Sequence, residues 1–223
     1  MNWELVLLDL DGTLMDSAPG IIASVRHAYT VMELQMPTEQ ELLSFVGPPM
    51  TVSAVRHGVR PEQLDDFTAA YRQAFVAEGM FNNSVFDGIF DLLKDLKQAG
   101  KRVVVATSKP EIYARQICDH FELSPHFEFV FGAALDTSRN SKALVIEHAL
   151  KTLAYTPAGL VTADKMIMVG DREHDIFGAR EHGIDTIAVT WGYAQDGEFA
   201  AAAPLHVVDT PVELSALLTG NGA

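Results

Sequence analysis

Leu5-Val6-Leu7-Leu8-Asp9-Leu10-Asp11-Gly12-Thr13 sets two carboxylates directly behind an unbroken apolar run. Leu5 to Leu8 is short and has no polar side, the pattern of a strand buried on both faces. In extended chain, residues i and i+2 project to the same side, so Asp9 and Asp11 start out side by side. Carboxylates that close repel each other, and a proton or a cation has to sit between them. A plain Asp-Gly turn is the competing reading. A core strand that ends in two acids is otherwise an anomaly that chemistry explains.

Outward from this stretch the pattern first turns helical. Ser17 and Pro19 suit a helix start, and Ile21, Ile22, Val25, Ala28, Tyr29 and Met32 form one apolar stripe. Thr38 with Glu41 reads as a capping box, Gly47-Pro48-Pro49 as a rigid turn before a short helix near 50–57, and Pro61 as the start of a helix ending at Gly79. Residues 16 to about 80 thus predict helices and no strand. From Val85 helix and strand alternate. Strands are predicted at Arg102–Ala106, Phe127–Phe131, Lys165–Val169, Thr186–Thr190 and His206–Val208. The intervening helices cover 89–99, begin at Pro110, run from Ser141 to about Leu153, and stop at Gly183. Such alternation implies right-handed crossovers and a doubly wound, mostly parallel α/β sheet of Rossmann-like type. An all-helical unit at 16–81 is inserted after the first strand, and 1–15 with 82–223 make the core. Thr219 to Ala223 are expected to fray.

The 223 residues are 48% hydrophobic and 21% charged, an ordinary globular composition, with a formal charge of −14. That charge argues against a nucleic-acid or anionic-membrane surface. A single cysteine, Cys118, forms no intrachain disulfide and fits a reducing cytoplasm; it reads as a buried helix residue. The N-terminus lacks a basic n-region, and no run reaches the ~18 apolar residues of a membrane span.

Ligands of such sheets bind beyond the carboxyl ends of the strands. Asp9, Asp11 and Gly12 follow the first strand, and Thr107, Ser108 and Lys109 the second. Gly170-Asp171-Arg172-Glu173-His174-Asp175 follows a later one, and Lys142 opens a helix. Asp9, Asp11 and Asp171 offer hard oxygen ligands suited to Mg2+. One carboxylate can attack phosphorus, and a second can protonate the leaving oxygen. Thr107 and Ser108 offer donors at a helix N-terminus, where anions bind, and Lys142 at another makes sense against a phosphate. Singly, each has an ordinary structural reading; as a set they point to phosphoryl transfer.

The motifs Asp9-Leu10-Asp11-Gly12-Thr13, Thr107, Lys142 and Gly170-Asp171-x-x-x-Asp175, in this order, resemble the haloacid-dehalogenase-like phosphohydrolase superfamily. Asp16-Ser17, Gly47-Pro48-Pro49 and Thr190-Trp191-Gly192-Tyr193 bring the chain nearest to its phosphoglycolate-phosphatase-like members. The resemblance implies Asp9 as nucleophile and metal ligand, Asp11 as acid/base with its backbone carbonyl on the metal, and Lys142 as stabiliser of the charge. It implies phosphate held by Gly12, Thr107 and Ser108, a Mg2+ site completed by Asp171, and Asp175 supporting the metal through water. Many relatives carry Asn where this chain has Ser108, a shorter side chain. The insert corresponds to the family's helical cap, hinged at Asp16–Ser17 and Asn82–Gly88, with Pro48, Pro49, Arg56 and His57 as candidates facing the site. The implied activity is a cytoplasmic, Mg2+-dependent phosphomonoesterase, monomer or homodimer, acting on a small phosphorylated metabolite such as phosphoglycolate or a nucleoside monophosphate. A 5'-nucleotidase, a β-phosphoglucomutase-like phosphomutase and a receiver-like phospho-aspartate module are the alternatives.

Overall fold

A computed structural model describes residues 2–136 and 138–220. Its strands are β1 (Leu5–Leu8), β2 (Met15–Asp16), β3 (Ser84–Val85), β4 (Arg102–Pro110), β5 (Phe129–Ala133), β6 (Met166–Gly170), β7 (Asp185–Val189) and β8 (His206–Val208). Six of them form one sheet in the order β5-β4-β1-β6-β7-β8, and every pairing in it is parallel. All four side chains of β1 are buried. Val6 and Leu8 enter one apolar core, and Leu5 and Leu7 enter a second on the opposite face. With both faces apolar, hydrophobicity alone does not choose the register of β1, because a one-residue slip trades one greasy set for another. The backbone ladder sets it: Leu8 stands opposite Val105 and Val169, so β1, β4 and β6 deliver their following residues at one level.

The core helices are α5 (Ile89–Gln98), α6 (Glu111–His120), α7 (Lys142–Leu153), α8 (Glu173–Arg180), α9 (Glu198–Ala202) and α10 (Pro211–Thr219), preceded by α1 (Ala18–Val31), α2 (Glu39–Leu43), α3 (Met50–Arg56) and α4 (Leu64–Ala77) in the insert. Leu92, Leu96, Ile117 and Leu214 cover one sheet face, and Val145, Ile146, Ala149 and Ala179 the other. From β1 the strand order runs outward to β5 on one side and β8 on the other. The crevice at its carboxyl end is where such a sheet takes a ligand.

The insert packs around Tyr29, whose ring meets Phe45 and Phe67 edge-on at 6.2 and 5.0 Å. The predicted capping box of Thr38 and Glu41 is formed, whereas Ser17 makes no cap bond. Asp16, in the span predicted to be free of strand, pairs with Ser84 while Met15 pairs with Val85, an antiparallel ribbon at the junction of insert and core.

Two boundaries differ in ways that bear on the site. β4 does not stop at Ala106; after a register shift it pairs Pro110 with Ala133. Thr107 and Ser108 are therefore extended chain, and α6 begins only at Glu111. β5 starts at Phe129, because Ser124–His126 forms a 3-10 turn ahead of it. Cys118 is buried in α6 as expected, and burial pushes its thiol up to about 12. Thr219 closes α10 rather than fraying, and 221–223 lie outside the described residues. Among the described residues no helix is long and apolar enough to cross a membrane.

Candidate functional site

Asp9 is the first residue beyond β1, and its N–H donates to the Val169 carbonyl at 2.9 Å, so the backbone of β6 fixes where its carboxylate starts. Lys142, the first residue of α7, donates from Nζ to Asp9 Oδ1 at 2.7 Å and to the Ala106 carbonyl at 2.9 Å; the same Nζ lies 2.6 Å from Asp175 Oδ1. All three side chains are buried. Burial alone would lower the Lys142 ammonium, but the adjoining Asp175 and Asp9 carboxylates more than offset it, and the group is raised. Asp9 is pushed up to about 6, first by burial and then by the neighbouring acids, with Lys142 opposing.

Asp171 is buried beyond the end of β6. Its Oδ2 accepts the Tyr193 N–H at 2.7 Å, and its Oδ1 accepts the Thr13 hydroxyl at 3.4 Å. Burial, then the charges of Asp175 and Asp9, hold this carboxyl well above the usual carboxylate range. Gly12 has φ +83°, and a Cβ there would lie 2.1 Å from Asp171 Oδ2, so the turn behind the first motif is tight because an acid from another strand fills it. Thr13 also takes the Trp191 indole N–H on its carbonyl at 3.1 Å. The Tyr193 phenol donates to Asp16 on the junction ribbon and accepts the Ala18 N–H. The segment after β7 thus ties Asp171 to the start of the insert.

The Asp11 carboxylate is paired with Lys109. Lys109 donates to both of its oxygens at 2.8 Å, and this ammonium also lies 5.0 Å from the centre of the Phe75 ring of the insert. Sequence reasoning placed Lys109 at the strand end without giving it a role; the extension of β4 past Ala106 is what brings it to Asp11. Thr107 is buried, its hydroxyl accepting the Lys109 N–H at 3.2 Å, so neither it nor Ser108 sits at a helix N-terminus as predicted. Ser108 instead lines a cavity of about 120 Å3 above Asp11. Lys109 and Tyr113 of the core and Pro48, Tyr71 and Phe75 of the insert also line it. Pro48 and Pro49 are at this cavity, as expected; Arg56 and His57 are not. They border a separate depression beside Pro37 and Glu41, where His57 Nε2 meets the Ser44 hydroxyl at 2.8 Å.

Asp9, Asp171 and Asp175 each bring one carboxylate oxygen within 4.8 Å of the others, near the ~4 Å that spans an octahedral Mg2+ with ~2.1 Å bonds. Four carboxyls, Asp9, Asp11, Asp171 and Asp175, stand against two ammoniums, Lys109 and Lys142, an imbalance that a cation relieves. These residues fit Mg2+.

Residues 6–189 match the family model described as haloacid dehalogenase-like hydrolase, with the acid cluster and both lysines inside the match. The chain belongs to this family. Among its relatives, the tyrosine-protein kinase PtkA of Mycobacterium tuberculosis is 46% identical over 194 residues, which are 86% of this chain and 64% of that protein. The chain therefore spans less than two thirds of that relative's length. A 5'-nucleotidase of Pseudomonas aeruginosa is 37% identical over 92% of this chain and 91% of its own. A phosphoglycolate phosphatase of Colwellia psychrerythraea is 28% identical over 95% of each. The crystal structure of a predicted phosphatase from Clostridium acetobutylicum superposes with a TM-score of 0.91 at 37% identity, covering 99% of this chain and 100% of that one. The fold of this haloacid dehalogenase-like chain is thus shared along nearly its whole length with the structure of a predicted phosphatase.

Proposed function

We propose that this chain is a cytoplasmic, Mg2+-dependent phosphomonoesterase that hydrolyses a small phosphorylated metabolite through an aspartyl-phosphate on Asp9. One observation carries the reading: Asp9 is buried, pushed up to about 6, and aligned by Lys142 at 2.7 Å, a poorly solvated carboxylate with one oxygen free to attack. Asp9, Asp171 and the Asp11 carbonyl would hold the cation, with Asp175 alongside; when bound it neutralises phosphate oxygens and relieves the repulsion among the acids.

Asp9 forms the new P–O bond while the ester P–O bond breaks, and Asp11 gives the leaving oxygen its proton. A water then attacks the aspartyl-phosphate, returns a proton to Asp11, and frees phosphate and Asp9. Both Asp11 oxygens accept from Lys109, so one must part from that ammonium before it can serve the leaving oxygen. Gly12, Thr107 and Ser108 line the path of the phosphoryl group, and the insert acts as a cap that excludes bulk water. The cavity, about 120 Å3 against ~300 Å3 for the smallest drug-sized sites, favours a small leaving group such as glycolate. A nucleoside would require the cap to stand further off.

The mycobacterial kinase favours one competing reading, in which a hydroxyl rather than water receives the phosphoryl group. A panel of phosphomonoesters assayed for free phosphate with Mg2+ and with chelator tests the proposal, together with mass spectrometry of the Asp9 peptide after acid quench. Mg2+-dependent phosphate release and a transient phosphoryl adduct on Asp9 are expected. Phosphate appearing only on tyrosine or at a second sugar position would overturn hydrolysis in favour of a transferase. An adduct that persists for hours would point to a signalling module.

A further inference from the structure

We propose that Arg172 is a positioning residue that seats the cap on the phosphate site by joining the acid loop to the Val46–Pro49 turn. The inference rests on the phosphomonoesterase reading of that site. Arg172 follows Asp171 directly, and its N–H donates to Asp175 Oδ2 at 3.1 Å, so its backbone is part of the acid loop. Its side chain leaves the core: Nη1 donates to the Val46 carbonyl of the cap at 2.7 Å. Glu198 steers it from behind, taking Nε at 3.0 Å, and is itself fixed by the N–H groups of Glu173 at 2.6 Å and Gln195 at 2.7 Å. Both Arg172 and Glu198 are buried.

Three features separate this from an incidental ion pair. A buried pair adds little net stability once desolvation is counted, so its value lies in fixing one arrangement. The guanidinium uses Nε toward Glu198 and Nη1 toward the cap, a division of labour that a lysine cannot reproduce. The cap side is shaped to receive it: Gly47 has φ +101°, and a Cβ there would sit 3.0 Å from Arg172 Cγ. Pro48 and Pro49 follow at once and wall the leaving-group cavity. A single side chain therefore connects the loop that carries Asp171 and Asp175 to the wall that meets the substrate. When the cap closes, Val46 lands on Arg172, and Arg172 is rooted beside the reacting groups.

Hydrogen exchange in the full-length protein reads this link without any turnover. Arg172→Ala should speed exchange in the 43–52 peptide about tenfold, the ratio that one charge-assisted hydrogen bond of ~1.4 kcal/mol supplies. Exchange in β6 and α4 should be unchanged. Glu198→Gln, which removes the charged partner that steers Nε, should speed exchange in the same peptide with Arg172 intact, and should add nothing in the Arg172→Ala background. Where a phosphomonoester is turned over, KM should rise about tenfold with kcat within about twofold, because saturating substrate pulls the cap shut again. Unchanged exchange in the 43–52 peptide, or additive effects of the two variants, would overturn the link. If Arg172→Ala does not fold, Glu198→Gln and Arg172→Lys carry the same test, and normal exchange in both refutes it. Failure of every phosphomonoester with the exchange result intact would remove the enzymatic reading and leave the coupling standing.

Discussion

Replacing Asp9 by Asn should stop the chemistry and, in metal-free buffer, make the protein harder to unfold. Asp9 moves from 3.8 to about 6 on folding, mainly by burial. A group raised in this way contributes stability that is fully present below about 3.8 and is lost as pH rises through about 6. At roughly 1.4 kcal/mol per pKa unit, ionised Asp9 then costs about 2–3 kcal/mol. Asparagine keeps the shape and removes the charge, while Lys142 retains Asp175 at 2.6 Å as its partner. The gain should be about 2–3 kcal/mol well above pH 6, on the order of 5–10 °C in melting temperature for a chain of this size, and should vanish toward pH 4. Thermal unfolding of wild type and Asp9→Asn in chelator across that range is the assay, with phosphate release measured alongside. A variant less stable than wild type at neutral pH would refute the burial reasoning. Residual turnover would refute Asp9 as the nucleophile.

Lys142→Met leaves Asp9 and Asp175 adjacent, buried and without their ammonium; urea unfolding should show a loss of about 3–5 kcal/mol, and an unchanged midpoint would mean the pair carries no charge. Mg2+ should raise the melting temperature well above pH 6 and lose that effect as pH falls through about 6, where Asp9 takes up a proton. A Mg2+ increment independent of pH would count against these acids as the site. Gly12→Ala forces a Cβ to within 2.1 Å of Asp171 Oδ2 at a positive φ, so it should destabilise by about 1–3 kcal/mol. It should also raise the Mg2+ concentration needed for half-maximal activity at least about tenfold; a normal Mg2+ titration would show that Asp171 is not displaced.

The features read most directly from the sequence were those in which adjacent residues carry the signal. Leu5 to Leu8 followed by Asp9 and Asp11 announced a doubly buried strand and an acid site, and the capping box at Thr38 was visible at its three-residue spacing. Lys142 was legible because Ser141 starts its helix, and the Ser141 hydroxyl does accept the Leu144 N–H. The pairing of Lys109 with Asp11, 98 residues apart, depended on β4 running on beyond Ala106, which β5 alone decides by offering Ala133 to Pro110. Arg172 and Glu198 are separated by 26 residues, and the five-residue helix that holds Glu198 has too few turns to show a period. Arg56 and His57 lie near the Pro48-Pro49 turn in sequence, yet the direction of α3 carries them to the other depression. The Met15–Asp16 strand is two residues long, below any alternation that a sequence can display.

In the proposed reaction the Tyr193 turn has a consequence for how the insert would act as a lid. Its N–H anchors Asp171, and its phenol grips Asp16 and Ala18, where the lid begins. Pivot and acid cluster thus share one footing. Opening can lift the far wall of the cavity to let substrate in, while the groups that do the chemistry keep their places between one turnover and the next.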